Sequence, residues 1–343
     1  MTRKVDLPAS LAMASFTLAE ARAAGVSRGR LSARDLRSPS QGIFIPVGAD
    51  QSLAQRLRPY AALSPQLVFS HVTAARLHGF PLPRALEEEG LVHLSGPGHP
   101  MRRRHVRRHR SAVSAEEVVM VDAVPVTSLA RTWCDLASLV RPASGAPSGG
   151  AWSGGDWSGL RAGFTADDLV ACADWLISEN RRGFRERTAR LSAEELRSYV
   201  AGRTRVRGLS AARAAVAAMR PGVDSPRETR LRLMLARAGF SGFVPNVPIE
   251  GEPGELPVWV DLGWREARIC CEYEGGHHAT PDQQISDRRR DALVAERGWT
   301  MVKVYARDMA LGPDWVSGLV RQVLPMLESG APEKFSPDSL KSR

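Results

Sequence analysis

Two short apolar runs near the C-terminal end carry more acid than a buried strand ordinarily tolerates. The first is Val258-Trp259-Val260-Asp261-Leu262; the second, Cys270-Cys271-Glu272-Tyr273-Glu274-Gly275-Gly276-His277-His278, ends in glycines and paired histidines. Strands alternate their faces, so Asp261 shares a side with Trp259, and Glu272 and Glu274 lie opposite Tyr273. Three carboxylates brought together repel unless protons or a divalent cation neutralise them, and hard cations such as Mg2+ (or Mn2+) take oxygen ligands. The two runs read as a hairpin, Val258–Trp264 against Arg268–Glu274. A two-residue loop pairs Asp261 with Cys270 and a four-residue loop pairs it with Glu272, and either puts both acids on one face. An unbulged three-residue loop separates them.

A chain of 343 residues exceeds one ordinary core and predicts at least two domains. No apolar run approaches the roughly 20 residues of a bilayer span. The N-terminal stretch reads as an amphipathic helix rather than a signal peptide, so a cytoplasmic protein with no membrane partner is expected. Cys134, Cys172, Cys270 and Cys271 lack CxxC spacing, which speaks against zinc and against a disulfide framework. Charge is placed unevenly: +7 over residues 1–140, +4 over 141–225 and −1 over 226–343. A basic front half attracts phosphates, whereas an acidic back part needs a cation before it meets them.

Taken in order, residues 7–24 read as a helix, followed by a turn at Gly25-Val26-Ser27. A second helix is expected from Arg28 to Leu36, carrying Arg28, Arg30 and Arg34, and then a strand over 41–46 at the place of a wing. His71 and His78 stand seven apart on one helix face and read as packing or capping residues, with no acidic partner in register. The run Met101 to Arg110 holds Arg102, Arg103, Arg104, Arg107 and Arg108, which suits a solvated hairpin edge or contact with a nucleic-acid backbone. A helix is expected from Leu129 to about Val140. Residues 141–163 form a Gly/Ser/Pro-rich linker or loop. Helices are expected at Thr165–Ser178, Ser192–Ala201 and Leu209–Met219, two of them opened by capping boxes.

The last domain opens at Ser225-Pro226, where Ser225 caps a helix and Glu228 stands at the capping-box position. Leu231, Leu235 and Ala238 follow Glu228 on one face, so the same carboxylate is directed toward the core. After the hairpin, a helix over Asp282–Arg297 carries Asp287, Arg288, Arg289, Arg290 and Asp291, and Trp299–Tyr305 is a final strand.

This order of a glutamate helix, an aspartate strand, a Glu-x-Glu strand, a helix and a strand resembles the PD-(D/E)XK nuclease superfamily. It is most similar to the Vsr-like family of endonuclease-like domains, through Asp261, Glu272-Tyr273-Glu274-Gly275, His277 or His278, Asp287-Arg288 with Asp291, and Gly298-Trp299. The front of the chain resembles AbiEi-type antitoxin regions, through the helix, arginine-rich helix and Gly42-Ile43-Phe44-Ile45-Pro46 order and through the 70–83 stretch SHVTAARLHGFPLP. The resemblances imply a winged helix-turn-helix-like head over 1–60, an α+β region over 61–140, a helical connector over 164–222 and a restriction-endonuclease-like α/β domain over 224–327 with a mixed central sheet flanked by helices. A disordered tail over 328–343 completes the organisation.

The implied activity is metal-dependent phosphodiester hydrolysis of double-stranded DNA, and the chemistry does not itself exclude RNA. Asp261, Glu272, Glu274 and Glu228 are the expected Mg2+ (or Mn2+) ligands. His277 or His278 is the expected proton carrier, and Arg288, Arg289 and Arg290 are expected at phosphate. Glu274 replaces the lysine of the superfamily's Glu-x-Lys, so no lysine is in place to activate water. That departure sustains an alternative in which the protein is an inactive DNA-binding regulator, or an antitoxin with a toxin partner, using the nuclease fold as a scaffold.

Overall fold

The computed structural model describes residues 6–98, 103–140, 163–179, 188–275 and 281–328, excepting the side chains of 281–286 and 325–328. The chain divides into two compact units, Met1–Ser138 and Leu139–Arg343, both mixed α/β.

In the first unit the stretch expected as one helix over 7–24 is α1 (Ala9–Ala12), a short strand β1 (Phe16–Thr17) and α2 (Leu18–Ala23). The break falls at Thr17, whose hydroxyl accepts from Glu20 N at 3.1 Å while Glu20 accepts from Thr17 N at 2.7 Å. This reciprocal cap starts a new helix and leaves Phe16 extended in the core. The helix expected over 28–36 is only one turn, α3 (Arg28–Leu31), before β2 (Leu36–Ser40) and β3 (Ile43–Pro46). Arg30 folds onto Asp35 through two hydrogen bonds of 3.0 and 2.7 Å, and the chain turns between them. The three strands form an antiparallel sheet in the order β1-β3-β2.

Next come α4 (Leu53–Ala61), β4 (Val68–Phe69), α5 (His71–His78), α6 (Arg84–Glu87), β5 (Val92–Ser95), β6 (Val106–His109), β7 (Val118–Val121), β8 (Val124–Thr127) and α7 (Leu129–Ala137). Their sheet runs β6-β5-β4-β8-β7, with β5/β6 and β4/β8 parallel and the other pairs antiparallel. Leu57 and Tyr60 of α4 share a core with Ile43 of the small sheet and with Phe69 and Leu94 of the large one. The head and the region after it therefore fold around common apolar side chains. The linker expected over 141–163 lies almost wholly outside the described residues.

The second unit begins with α8 (Ala166–Ile177), α9 (Ala193–Ala201) and α10 (Leu209–Ala218), then α11 (Pro226–Arg237) and β9 (Val244–Ile249). A hairpin of β10 (Val258–Trp264) and β11 (Ile269–Glu274) follows, then α12 (Pro281–Glu296), β12 (Thr300–Tyr305), α13 (Ala306–Ala310) and α14 (Pro313–Glu328). The sheet order is β12-β11-β10-β9; the β9, β10 and β11 neighbours are antiparallel, and β12 runs parallel to β11 after the α12 crossover. One core joins Leu231, Met234 and Leu235 of α11 and Val316 and Val320 of α14 to Leu262, Cys271, Val302 and Val304 of the sheet. A second core joins Val294 of α12 to Val247, Val260 and Cys270. Adjacent Cys270 and Cys271 enter different cores, as strand alternation demands.

Asp174 ties the early helices to α11. Fully buried, its carboxylate accepts from Arg220 N at 2.7 Å, Thr229 Oγ1 at 2.9 Å and Arg232 Nη2 at 2.8 Å. The connector and the last domain thus fold as one body. Among the described residues no helix is long and apolar enough to cross a membrane.

Removing one partner of a buried ion pair strands the other without solvation. Asp174→Ala is expected to lower unfolding free energy by about 3–5 kcal/mol, read by urea denaturation of the full chain. A loss below 1 kcal/mol contradicts this account of Asp174.

Candidate functional site

The hairpin loop is Arg265 to Arg268, four residues, with Trp264 opposite Ile269, Gly263 opposite Cys270 and Leu262 opposite Cys271. Continued by one step, this register sets Asp261 against Glu272. The regular ladder stops there, although both strands go on. Side chains take over from the backbone. Asp261 N–H donates to Glu272 Oε1 at 3.1 Å, and Tyr273 N–H donates to Asp261 Oδ2 at 2.9 Å. The opposed strands part at this point, and each carboxylate satisfies an amide of the other strand. On the far side of Asp261, Asn246 of β9 adopts a φ of +54°, the left-handed region that asparagine tolerates better than most residues.

The parting opens a cleft of about 340 Å³ lined by Glu228, Asp261, Glu272, Glu274, Asp287 and Arg290, among others. Glu228 comes from the start of α11, where Pro226 opens the helix and Ser225 Oγ accepts from Glu228 N at 3.3 Å. Its own carboxyl accepts from Asp224 N at 3.0 Å rather than from Ser225 N, one residue away from a regular capping box. Burial, followed by the negative charge of Asp261, pushes the Glu228 carboxyl up to about 8. Arg290 of α12 supplies positive charge, with Nη1 3.3 Å from Glu272 Oε2 and Nη2 3.2 Å from Asp287 Oδ1.

Sequence reasoning found the acids but missed a cation. Lys303 of β12 stands opposite Glu272 in the parallel register, and its Nζ lies 2.5 Å from Asp291 Oδ2 and 3.8 Å from Glu274 Oε1. The hydrogen bond to Asp291 raises the Lys303 pKa, against a smaller opposing effect of burial. An ammonium thus stands beside Glu274, contributed by the neighbouring strand instead of by the Glu-x-Glu strand. The signal was its place in the last strand, legible only once β12 is known to pair with β11.

Glu274 is turned toward Lys303. Glu228, Asp261 and Glu272 are each engaged with protein donors, and they are not gathered as closely as the histidine trio described below. His277 and His278 lie outside the described residues, as does Arg102. Of the arginines expected at nucleic acid, Arg28, Arg34, Arg104, Arg107 and Arg288 are exposed, and Arg289 is exposed beside Glu255 at 3.4 Å. Arg30 is buried in its pair with Asp35 and closes the α3 to β2 turn, so it is not presented to a ligand. Arg103 and Arg108 donate to the backbone carbonyls of Gln41 and Pro97.

In the first unit His78 Nε2 contacts Thr127 O at 2.7 Å, a packing role as expected. His71 is different: an acid does stand near it, with Asp135 Oδ2 3.7 Å from His71 Nδ1. The partner comes from α7, far along the sequence, which is why spacing within the 70–83 stretch did not disclose it.

Two curated relatives match, an uncharacterised protein of Mycobacterium tuberculosis strain CDC 1551 / Oshkosh and one of strain ATCC 25618 / H37Rv. Each is 32% identical over 129 residues, 37% of this chain and 47% of the relative. The chain thus spans about half the length of the curated relatives it matches. No family model and no solved structure matches.

The raised Glu228 carboxyl makes stability depend on pH. The folded state holds its proton up to about 8, whereas an ordinary glutamate releases it near 4.5. This contribution is full below the lower value and is lost as pH rises through the upper one. With chelator present, the melting temperature is expected to fall across that window, and Glu228→Gln is expected to flatten the curve and melt higher than the parent at its alkaline end. Parallel curves for the two proteins contradict the assignment.

Proposed function

We propose that the second unit is a metal-dependent endonuclease of the restriction-endonuclease-like, Vsr-like kind, and that the basic, AbiEi-like first unit with its winged-helix-like head holds duplex DNA. One observation carries the reading: Asp261 and Glu272 bridge the parted strands β10 and β11 at the mouth of a cleft that also contains buried Glu228 and cationic Arg290. The α11-β9-β10-β11-α12-β12 order supports the fold assignment.

The donors suit a hard divalent ion because all are carboxylates, and an ion at Glu272 would displace the Arg290 guanidinium that now neutralises it. Asp261 and Glu272, with Glu228, would hold Mg2+ (or Mn2+), which supplies Lewis acidity toward the scissile phosphate and acidifies water. Glu228, whose carboxyl is pushed up by burial and by Asp261, would give up its proton on binding such an ion. Arg290 offers a planar donor set to an incoming phosphate once it turns from Glu272. Lys303, held as an ammonium by Asp291, stabilises developing negative charge and is not the proton acceptor. Proton transfer stays assigned to His277 or His278, which follow Gly275 in sequence.

Purified full-length protein incubated with supercoiled plasmid is expected to nick or linearise it with Mg2+ or Mn2+ and not with chelator. Asp261→Ala and Glu272→Ala are expected to reduce cleavage to background, and Lys303→Met to slow it by about 10²-fold. Metal-independent DNA binding without any cleavage overturns the nuclease and leaves the regulator or antitoxin-like reading. Cleavage of RNA alone changes the substrate and retains the mechanism.

A further inference from the structure

The first unit contains a second constellation, unrelated to the carboxylate cleft. His71 opens α5, His93 lies on β5 and His109 ends β6. In the parallel β5/β6 register Ser95 faces His109, so His93, two residues earlier, projects from the same face as its diagonal neighbour. One ring nitrogen from each of the three histidines lies within 4.8 Å of the other two, and among the described residues no other trio of His, Cys, Asp and Glu is gathered this closely. His71 and His93 are buried at 5% and 1% exposure, and His109 is half-buried.

We propose that His71, His93 and His109 form a binding site for a first-row transition-metal ion of the Zn2+ class. Three imidazoles are the donors such ions prefer and Mg2+ does not, and a three-histidine site leaves a fourth position for water. With metal–nitrogen bonds of about 2.0–2.1 Å, two nitrogens of a tetrahedral site stand roughly 3.4 Å apart. His93 Nδ1 and His109 Nε2 already stand at 3.0 Å.

The outward nitrogens meet the groups that orient metal-bound imidazoles. His93 Nε2 and Glu89 Oε2 are buried atoms without a hydrogen-bond partner among the described residues, and they face each other at 3.4 Å. His71 Nδ1 lies 3.0 Å from Ser70 Oγ and 3.7 Å from Asp135 Oδ2, which leaves its Nε2 for the cluster. A carboxylate behind a ligating histidine fixes its tautomer and raises its basicity. Of the two arginines that act on the trio, Arg131 is matched by Glu117 at 2.6 Å and Asp135 at 2.9 Å, and Arg107 is exposed to solvent. Burial, and then the neighbouring histidines and arginines, push His71 down to about 2 and His93 down to about 3, so both rings are neutral and carry lone pairs at physiological pH. The His71 and His109 rings are stacked with centroids 3.4 Å apart. Ligation of one ion by both rings would turn them out of this stack by side-chain rotation and would link α5 to β5 and β6.

The test uses the full chain carrying Asp261→Ala, His277→Ala and His278→Ala, which removes the carboxylate cleft's chief ligand and the other paired imidazoles. Titration with Co2+ is expected to give one equivalent of ion with the strong visible absorption of a four-coordinate nitrogen-rich site, displaced by Zn2+. His109→Gln, at a half-buried position, is expected to abolish that absorption, and Glu89→Gln to weaken binding by about 10–100-fold. Zn2+ is expected to raise the melting temperature of the parent and not of His109→Gln. Pulsed EPR of the Cu2+-loaded parent reads imidazole coordination directly, without depending on any variant in the trio. Absence of imidazole coupling, or equal Co2+ affinity in the parent and in folded His109→Gln, overturns the site.

Discussion

Antiparallel strands can be parted inside a protein only where something else satisfies the amides that the parting releases. In the second unit that task falls to two acids, each bonded to a main-chain N–H of the opposite strand. The arrangement makes Asp261 and Glu272 structural and chemical at once. Replacing either with an apolar residue leaves a buried N–H unmatched, and replacing both invites the strands to close and remove the cleft. Glu228, Arg290, Asp287 and Glu274 line a space that exists because the ladder ends where it does.

The charge pattern around that space follows from the same economy of burial. Glu228 meets its desolvation by holding a proton, with burial and Asp261 acting in one direction. Glu272 instead keeps a guanidinium at 3.3 Å, and Glu274 an ammonium at 3.8 Å. Three acids in one cleft thus reach three local solutions: proton, arginine and lysine. The cations that answer these acids come from two further elements, Arg290 from α12 and Lys303 from β12.

Much of the second unit was legible in the sequence, because its signals are local. Caps at Thr165, Ser192 and Ser225 marked helix starts within a residue or two, and acid in otherwise apolar strands marked Asp261 and Glu272. The first unit was harder. Thr17 capped a helix inside what looked like continuous helical periodicity, and the Arg30–Asp35 pair cut the next helix short. Lys303 and Asp135 escaped for another reason: each becomes significant only through a partner on a different element, and spacing along the chain carries no trace of that pairing.

The two flanks of β11 are not equally bound. It pairs with β12 over all six residues from Ile269 to Glu274, whereas its regular ladder with β10 covers only Leu262, Gly263 and Trp264. Fluctuations that widen the sheet therefore concentrate on one seam, where fewer main-chain bonds resist them. Glu272, Glu274 and Lys303 travel together on the tightly paired side, and Asp261 rides with β9 on the other. The two acids therefore face each other across the less fully paired seam, and the bonds from Asp261 N–H to Glu272 and from Tyr273 N–H to Asp261 are what join the strands there.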